Sequence, residues 1–325
     1  MKILFIGGTG IISSACSNLA VKQGHDVYHF NRGLSHRKID GVKNIIGDIR
    51  NSDEAQTLLK SNEFDVVADF ISFVPEHINN NIKLFKGKTR QFILISSASA
   101  YQKPVNKLPI TEQTPLVNPF WKYSQDKAAC EKTLMDSYNN EGFPATIVRP
   151  SHTYDCTLIP CDWGYTVLDR MIKGKKIIVQ GDGTSLWVLT HNTDFAIGFN
   201  GLFGKKEAIG EAFHITSDEL LNWNHIYYLM ASNLGVKPKI IHIPSDFIAE
   251  IDKEIGPNFL GDKAHSVIFD NSKIKSFVPE YKAKIKFEDG VKEIINWYKN
   301  NPKWQKVDKK TNEMIDLIID KYGKK

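Results

Sequence analysis

The chain has 325 residues, 42% of them hydrophobic, enough for one large α/β domain or two lobes sharing a core. Its 42 basic and 37 acidic residues leave a formal charge of +5, spread along the chain; nothing here calls for nucleic acid, though the sign leaves it open. No apolar run reaches the length of a membrane span.

Lys2–Ile6 is a short apolar run and reads as a buried strand. Gly7-Gly8-Thr9-Gly10-Ile11-Ile12-Ser13 follows, then a helix-like stretch, Ser14 to Gln23. Strand, glycine turn and helix form the setting that a dinucleotide fingerprint requires. Gly7 allows the tight turn, and Gly10 lets the backbone approach a pyrophosphate at the positive end of the helix. Gly7, Thr9, Gly10, Ile11 and Ile12 are therefore cofactor-binding candidates. Ser13 occupies the third glycine position, where a small residue still fits.

Val27 to Phe30 reads as the second strand and runs into Asn31-Arg32-Gly33. A carboxylate there would bind the ribose 2′-hydroxyl of NAD and repel a 2′-phosphate; this chain has none. Asn31 can hydrogen-bond a ribose. Arg32 can face a 2′-phosphate, stack on the adenine or simply occupy a turn. NAD and NADP both stay open.

Asn44 to Ile46 is a third strand, followed by Gly47-Asp48-Ile49-Arg50. Asp48, beside Ile49, can accept from an adenine amino group or cap the helix beginning near Ser52. Val66 to Phe70 is a fourth strand; Phe70 and the following Ile71-Ser72-Phe73 suit the lining of a cofactor channel. Gln91 to Ile95 is the fifth, with Ser96-Ser97 at its C-terminal end, the edge where open α/β sheets bind ligands. Pro115 and Pro119 place the next helix start after Phe120. That helix carries Tyr123-Ser124-Gln125-Asp126-Lys127, with tyrosine and lysine four apart on one face. An ammonium near a phenol favours the phenolate. The pair can thus remove a proton from a substrate hydroxyl, although the spacing alone is common on solvated helices. Pro144 to Arg149 is the sixth strand, ending in Pro150-Ser151-His152.

Strands alternating with helices predict an α/β fold: a doubly wound parallel sheet of the Rossmann type, covered on both faces. Residues 1–155, with about 181–204, form its dinucleotide-binding domain. Residues 156–325 form mainly a smaller C-terminal lobe, with helices over Leu220 to Leu234, Phe247 to Glu254, Phe287 to Tyr298 and Thr311 to Tyr322, and a strand at Lys239 to Ile243. Cys16, Cys130, Cys156 and Cys161 match no metal or redox spacing, so no metal is expected. His191, His214 and His265 read as structural; His152 stands at the ligand edge. With no signal peptide in view, a cytoplasmic location is expected.

In order, these pieces resemble the extended short-chain dehydrogenase/reductases, which include nucleotide-sugar epimerases and dehydratases. The resemblance is carried by Gly7–Ser13, Gly47-Asp48-Ile49, Ser96-Ser97 with Tyr101, Tyr123–Lys127, Arg149-Pro150 with His152-Thr153-Tyr154, Gly181-Asp182-Gly183-Thr184 and Asp194-Phe195-Ala196. It covers roughly residues 1 to 200. It implies NAD or NADP as cofactor, a C-terminal lobe closing over a sugar-like substrate, and a homodimer through the Tyr/Lys helix. It also implies a triad: Ser97 holds the reacting oxygen, Tyr123 is the acid/base, and Lys127 binds the nicotinamide ribose. The cofactor set is completed by Ser96, Pro150 and His152, and the substrate set is Ser97, Tyr123, His152 and Trp187.

Three departures stand out. Trp187 occupies the place where sugar-nucleotide enzymes carry an arginine for the diphosphate. The fourth strand ends in Asp69-Phe70-Ile71-Ser72, and the second lacks an acid. With Phe213–Ser217 and Trp223, they are similar to an atypical branch that includes chloroplast stem-loop RNA-binding proteins. Unlike what is expected of RNA-binding members, this chain keeps Tyr123 and Lys127. The implied activity is epimerisation by transient oxidation, with net dehydrogenation or reduction next. Dehydration ranks lower, because Ala98-Ser99 stand where the family's dehydratases carry Asp-Glu. The alternative is an RNA-binding or dinucleotide-sensing protein on a non-catalytic fold.

Overall fold

The computed structural model describes residues 1–60 and 62–324. The strands are β1 (Lys2–Ile6), β2 (Asp26–Asn31), β3 (Lys43–Ile46), β4 (Phe64–Asp69), β5 (Thr89–Ile95) and β6 (Ala145–Pro150), then β7 (His152–Tyr154), β8 (Lys176–Gln180), β9 (Leu186–Trp187), β10 (Leu189–His191), β11 (Ala212–Ile215), β12 (Leu221–Asn222) and β13 (Lys239–Ile243). The main sheet runs β11-β6-β5-β4-β1-β2-β3, with every neighbouring pair parallel. The order reverses between β1 and β4, which opens a crevice at their C-terminal ends.

Alternation along the strands builds two cores. Ile3, Phe5, Val66, Ala68, Ile93 and Ile95 face one side. They meet α1 (Ile11–Lys22) and α6 (Asn192–Asn200) there. Leu4, Ile6, Val67, Phe92 and Leu94 face the other. That side is covered by α2 (Ser52–Leu59), α3 (Pro75–Phe85) and α4 (Lys122–Glu141). Each large apolar side chain buried this way contributes about 1.5–3 kcal/mol. With helices on both faces, the strands read as continuous apolar runs.

The C-terminal lobe pairs β8 with β13 in parallel and adds α5 (Tyr165–Ile172), α7 (Trp223–Leu234) and α8 (Ser245–Ile251). Helices Phe287–Asn300 and Lys309–Tyr322 complete it. Strand β11, left with this lobe by the sequence reading, pairs instead with β6 in the main sheet.

Two helix starts differ from expectation. α1 begins at Ile11, not Ser14, because Ser13 accepts from the Gly10 N–H and donates to Gly7 O, both at 2.8 Å. α7 begins at Trp223, not Leu220, because Leu221–Asn222 pair with β9 and the Asn222 side chain caps His225 N. The helix expected over Phe247 to Glu254 is α8, which starts directly after Pro244 and stops at Asp252, whose backbone is extended.

Among the described residues the four cysteines are free and no His/Cys/Asp/Glu cluster suits a metal ion. No helix among them is long and apolar enough to cross a membrane.

Candidate functional site

The glycine turn lies at the crevice between β1 and β4. Gly7 adopts φ +82°, and a β-carbon there would collide with Ile71. Ser13 ties the turn from inside, so it does more than replace a glycine. The first amides of a helix have no partner within it; those of Ile11 and Ile12 belong to residues that line the cavity here.

On one side of the turn is a cavity of about 380 Å³, lined by Gly7, Thr9, Gly10, Asn31, Arg32, Asp48 and Ile49, with Arg50 and Phe73. Arg32 has no hydrogen bond or ion pair among the described residues and is exposed. Asn31 closes its own turn, accepting from Gly33 N at 2.9 Å and donating to Asn44. Asp48 accepts from Arg50 N. It does not cap α2; Asn51 does, accepting from Glu54 N. Arg50 is a second exposed cation here that sequence reasoning did not single out. Arg37 is a third missed residue. Its guanidinium reaches over the first turn of α1 to Ser14 Oγ at 3.0 Å and continues to Thr157 Oγ1 and the Asp155 carboxylate, both at 2.7 Å.

On the other side is a cavity of about 410 Å³, lined by Ile11, Ile12, Phe70, Ser96, Ser97, Tyr123, Lys127, Pro150 and His152. Lys127 is 1% exposed. It donates to Ser72 O at 2.7 Å and Ile95 O at 2.9 Å, which leaves one of its three N–H groups free. The unusual end of β4 explains this placement. Asp69 accepts from Ile71 N, Ser72 N, Asn81 Nδ2 and the Ser72 hydroxyl, folding a turn that presents the Ser72 carbonyl to Lys127. Ser96 lines this cavity, and its Oγ is buried with no partner among the described residues.

Ser97 Oγ accepts from Ser99 N at 3.2 Å and shares a 2.8 Å hydrogen bond with Ser99 Oγ. Ser124 Oγ donates to Ser99 Oγ at 2.9 Å. Ser99 and Ser124 thus orient Ser97 from behind, a link that no local spacing announces. Tyr123 corrects one expectation. Burial raises its pKa above the ordinary tyrosine value, outweighing the Ser97 hydrogen bond, which lowers it. The Lys127 ammonium lies 5.9 Å from the Tyr123 ring centre and does not bring the phenol down. Burial also lowers the pKa of Lys127, against the nearby Asp69 carboxylate.

A third cavity, about 260 Å³, shares Ser97, Tyr123, Pro150, Ser151 and His152 with the second. Its far wall is Trp187, Asp262, Lys263, Val267 and Phe269. Trp187 is 2% exposed, with its ring centre 5.0 Å from that of Trp223 and the Lys263 ammonium 5.6 Å away. Its N–H donates to His152 Nδ1 at 3.3 Å. Those neighbours cover it, so it offers no open stacking face. Burial, with help from Lys263, lowers the His152 pKa to about 3. The ring is therefore neutral, and with Nδ1 accepting, Nε2 carries its proton. His214 is structural: it meets Tyr101 Oη and Asp270 O.

An open, doubly wound parallel sheet with a glycine turn and cavities along its switch point defines a dinucleotide-binding α/β protein. Residues 3–215 match the NAD dependent epimerase/dehydratase family. The chain belongs to that family, which is a family of NAD(P)-dependent enzymes. It is 28% identical over 265 residues to the chloroplast stem-loop binding protein of 41 kDa b of Arabidopsis thaliana, covering 76% of this chain and 67% of that protein. It is 25% identical over 340 residues to UDP-glucose 4-epimerase of Lactobacillus helveticus, covering 93% and 98%. In fold it is similar to dTDP-glucose 4,6-dehydratase of Bacillus anthracis, solved with NAD, at TM-score 0.74 and 21% identity over 94% of this chain and 98% of that one.

Proposed function

We propose that the protein binds a nicotinamide dinucleotide across the first two cavities and oxidises a carbinol carbon of a sugar or nucleotide-sugar-like substrate in the third. Epimerisation through a transient ketone is the leading reaction, with net oxidation or reduction second. The observation that carries this reading is the wall common to the second and third cavities, where Ser97, Tyr123 and His152 face both. The residues suit the cofactor: Gly10 leaves room above the turn, the Ile11 and Ile12 amides suit a pyrophosphate, and Ser96 holds an unpartnered hydroxyl.

When bound, a nicotinamide would supply a hydride acceptor able to return the hydride. Ser97 holds the reacting oxygen, and Tyr123 moves the proton between itself and that oxygen. Lys127 donates its remaining N–H to the nicotinamide ribose. Neutral His152 can donate from Nε2 but not act as a base at neutral pH. The lobe made mainly by residues 156–325 supplies the far wall. We also infer pairing of two copies through α4; sedimentation velocity reads that state. Mass spectrometry of small molecules that co-purify with the chain tests the whole reading, and release of an RNA in place of a dinucleotide would overturn it in favour of the stem-loop-binding relative's activity.

Arg32, unpaired and without an acid beside it, makes NADP at least competitive with NAD. A charge-assisted contact to the 2′-phosphate contributes about 1.5–3 kcal/mol, or roughly ten- to a hundredfold in affinity. Titrating both cofactors against Arg32→Ala is expected to show that loss for NADP alone; an unchanged ratio makes Arg32 a turn residue.

Arg37 bridges Ser14 of α1 to Thr157 and Asp155 and so holds the start of α1, on which the pyrophosphate would rest. A partly exposed ion pair is worth up to about 1 kcal/mol. Arg37→Ala is then expected to speed cofactor release by about fivefold, with little change in the melting temperature. Stopped-flow displacement of the bound dinucleotide measures it.

A further inference from the structure

One π-type turn, Phe259–Lys263, contributes Asp262 and Lys263 to the wall of the third cavity. Asn118 anchors that turn by donating to Gly261 O at 2.7 Å and to Ser99 O at 2.9 Å, so it is fastened to the segment that orients Ser97. Lys263 is 6% exposed and its ammonium donates to Asn258 Oδ1 at 3.0 Å. It stands 3.7 Å from Asp162 and 3.9 Å from Asp262. Asn258 also donates to Asp162, at 2.8 Å. Lys103, buried without a hydrogen-bond partner among the described residues, is the further charge acting on Asp262. Asp262 and Lys263 thus bring one carboxylate and one cation to this wall, while Asp162 and Lys103 stand outside its lining.

We propose that the Asp262–Lys263 turn recognises hydroxyl groups, and that the substrate is an uncharged polyhydroxylated ring, a sugar free or in a neutral glycoside, rather than a sugar linked to a nucleoside diphosphate. This rests on the redox reading of the adjoining site. A sugar hydroxyl both donates and accepts, so Asp262 and Lys263 side by side can each serve one of two neighbouring hydroxyls.

A diphosphate asks for the opposite: unpaired cations aimed at its oxygens. Lys263 is already flanked by Asp162 and Asp262, and Asp262 would face the phosphate as a like charge. Position 187 holds an indole whose one N–H goes to His152, and His152 is neutral. At about 260 Å³, the cavity is below the usual range of roughly 300–1,000 Å³ for larger ligands; a single sugar ring suits it.

The test is a tryptophan-fluorescence titration of the whole cofactor-loaded chain, since Trp187 lies at the wall. Three panels are compared: neutral aldohexoses with their methyl glycosides, the same hexoses as phosphates, and UDP- and dTDP-linked hexoses. Saturable binding is expected from the first panel, and no gain from added phosphate or nucleotide. Asp262→Asn, nearly isosteric, and Lys263→Met are each expected to weaken it by roughly tenfold or more, the weight of one charge-assisted hydrogen bond. A nucleotide-linked hexose that binds more tightly than its free hexose, through Lys263, overturns the proposal and leaves the redox reading intact. Failure of every neutral sugar to saturate also overturns it, as does full affinity in Asp262→Asn. A neutral sugar that binds through Asp262 yet neither reduces the cofactor nor is epimerised overturns the redox reading alone.

Discussion

Tyr123→Phe is expected to lower turnover about 10²–10⁴-fold, the usual contribution of general acid–base catalysis, with cofactor affinity preserved. The ring keeps its place beside Trp121, 4.9 Å between centres, so the loss reports the proton and not the packing. Adding Ser97→Ala to Tyr123→Phe does little more, because the two act on one oxygen and the unit is already broken. Lys127→Met is expected to cost both rate and cofactor affinity, since the ammonium proposed to meet the ribose also donates to the Ser72 carbonyl. The pH dependence follows from the raised pKa of Tyr123. As an acid, the phenol is loaded throughout the neutral range. As a base it must first lose its proton, so oxidation speeds up with pH until the raised pKa is passed. Tyr123→Phe flattens that rise. Full turnover by the variant, once a substrate is in hand, removes this site from the account.

Gly10→Val is expected to lower dinucleotide affinity by about 10²–10⁴-fold while the fold survives. The estimate is the loss of two hydrogen bonds to a charged pyrophosphate, about 1.5–3 kcal/mol each. Gly10 is the glycine that separates binding from folding. Its backbone, at φ −75° and ψ 179°, suits any residue. A β-carbon there meets only Ser13 Oγ, at 3.3 Å, and otherwise open space; the valine side chain occupies the room above the turn. Gly7 fails this test, since a side chain there strains φ and strikes Ile71. Thermal melting checks the fold, and isothermal titration with both cofactors checks the affinity. Unchanged affinity in Gly10→Val rejects the glycine turn as the pyrophosphate site.

Strands β1, β4, β5 and β6 were legible because each is a short, mostly apolar run, and in a doubly covered sheet burial leaves that mark; β11 was left with the lobe because only its pairing with β6 puts it in the sheet. The Tyr123/Lys127 face was legible because four residues make one helical turn. The side chains that aim this pair were not. Asp69 acts through Ser72, and Ser124 through Ser99, across separations that only packing closes. Trp187 was readable as a substitution for a cation, but its covered faces depend on Trp223 and Lys263, 36 and 76 positions further along.

By itself, then, the chain determined what local rules decide: the alternating strands and helices, the glycine turn that frees backbone amides, and the Tyr/Lys helix face. Hydrophobic periodicity and backbone sterics act within a few residues, so they can be read in order. Tertiary structure alone decided the electrostatics and the walls. It raised the pKa of Tyr123 by burial where the neighbouring lysine was expected to lower it, held His152 neutral, and joined Arg37 to Ser14, Thr157 and Asp155. It also set Asp262 and Lys263 against the cavity, with Asp162 beside Lys263. Desolvation and long-range charge depend on which segments meet in space, and that is fixed only when the lobe folds back onto the sheet.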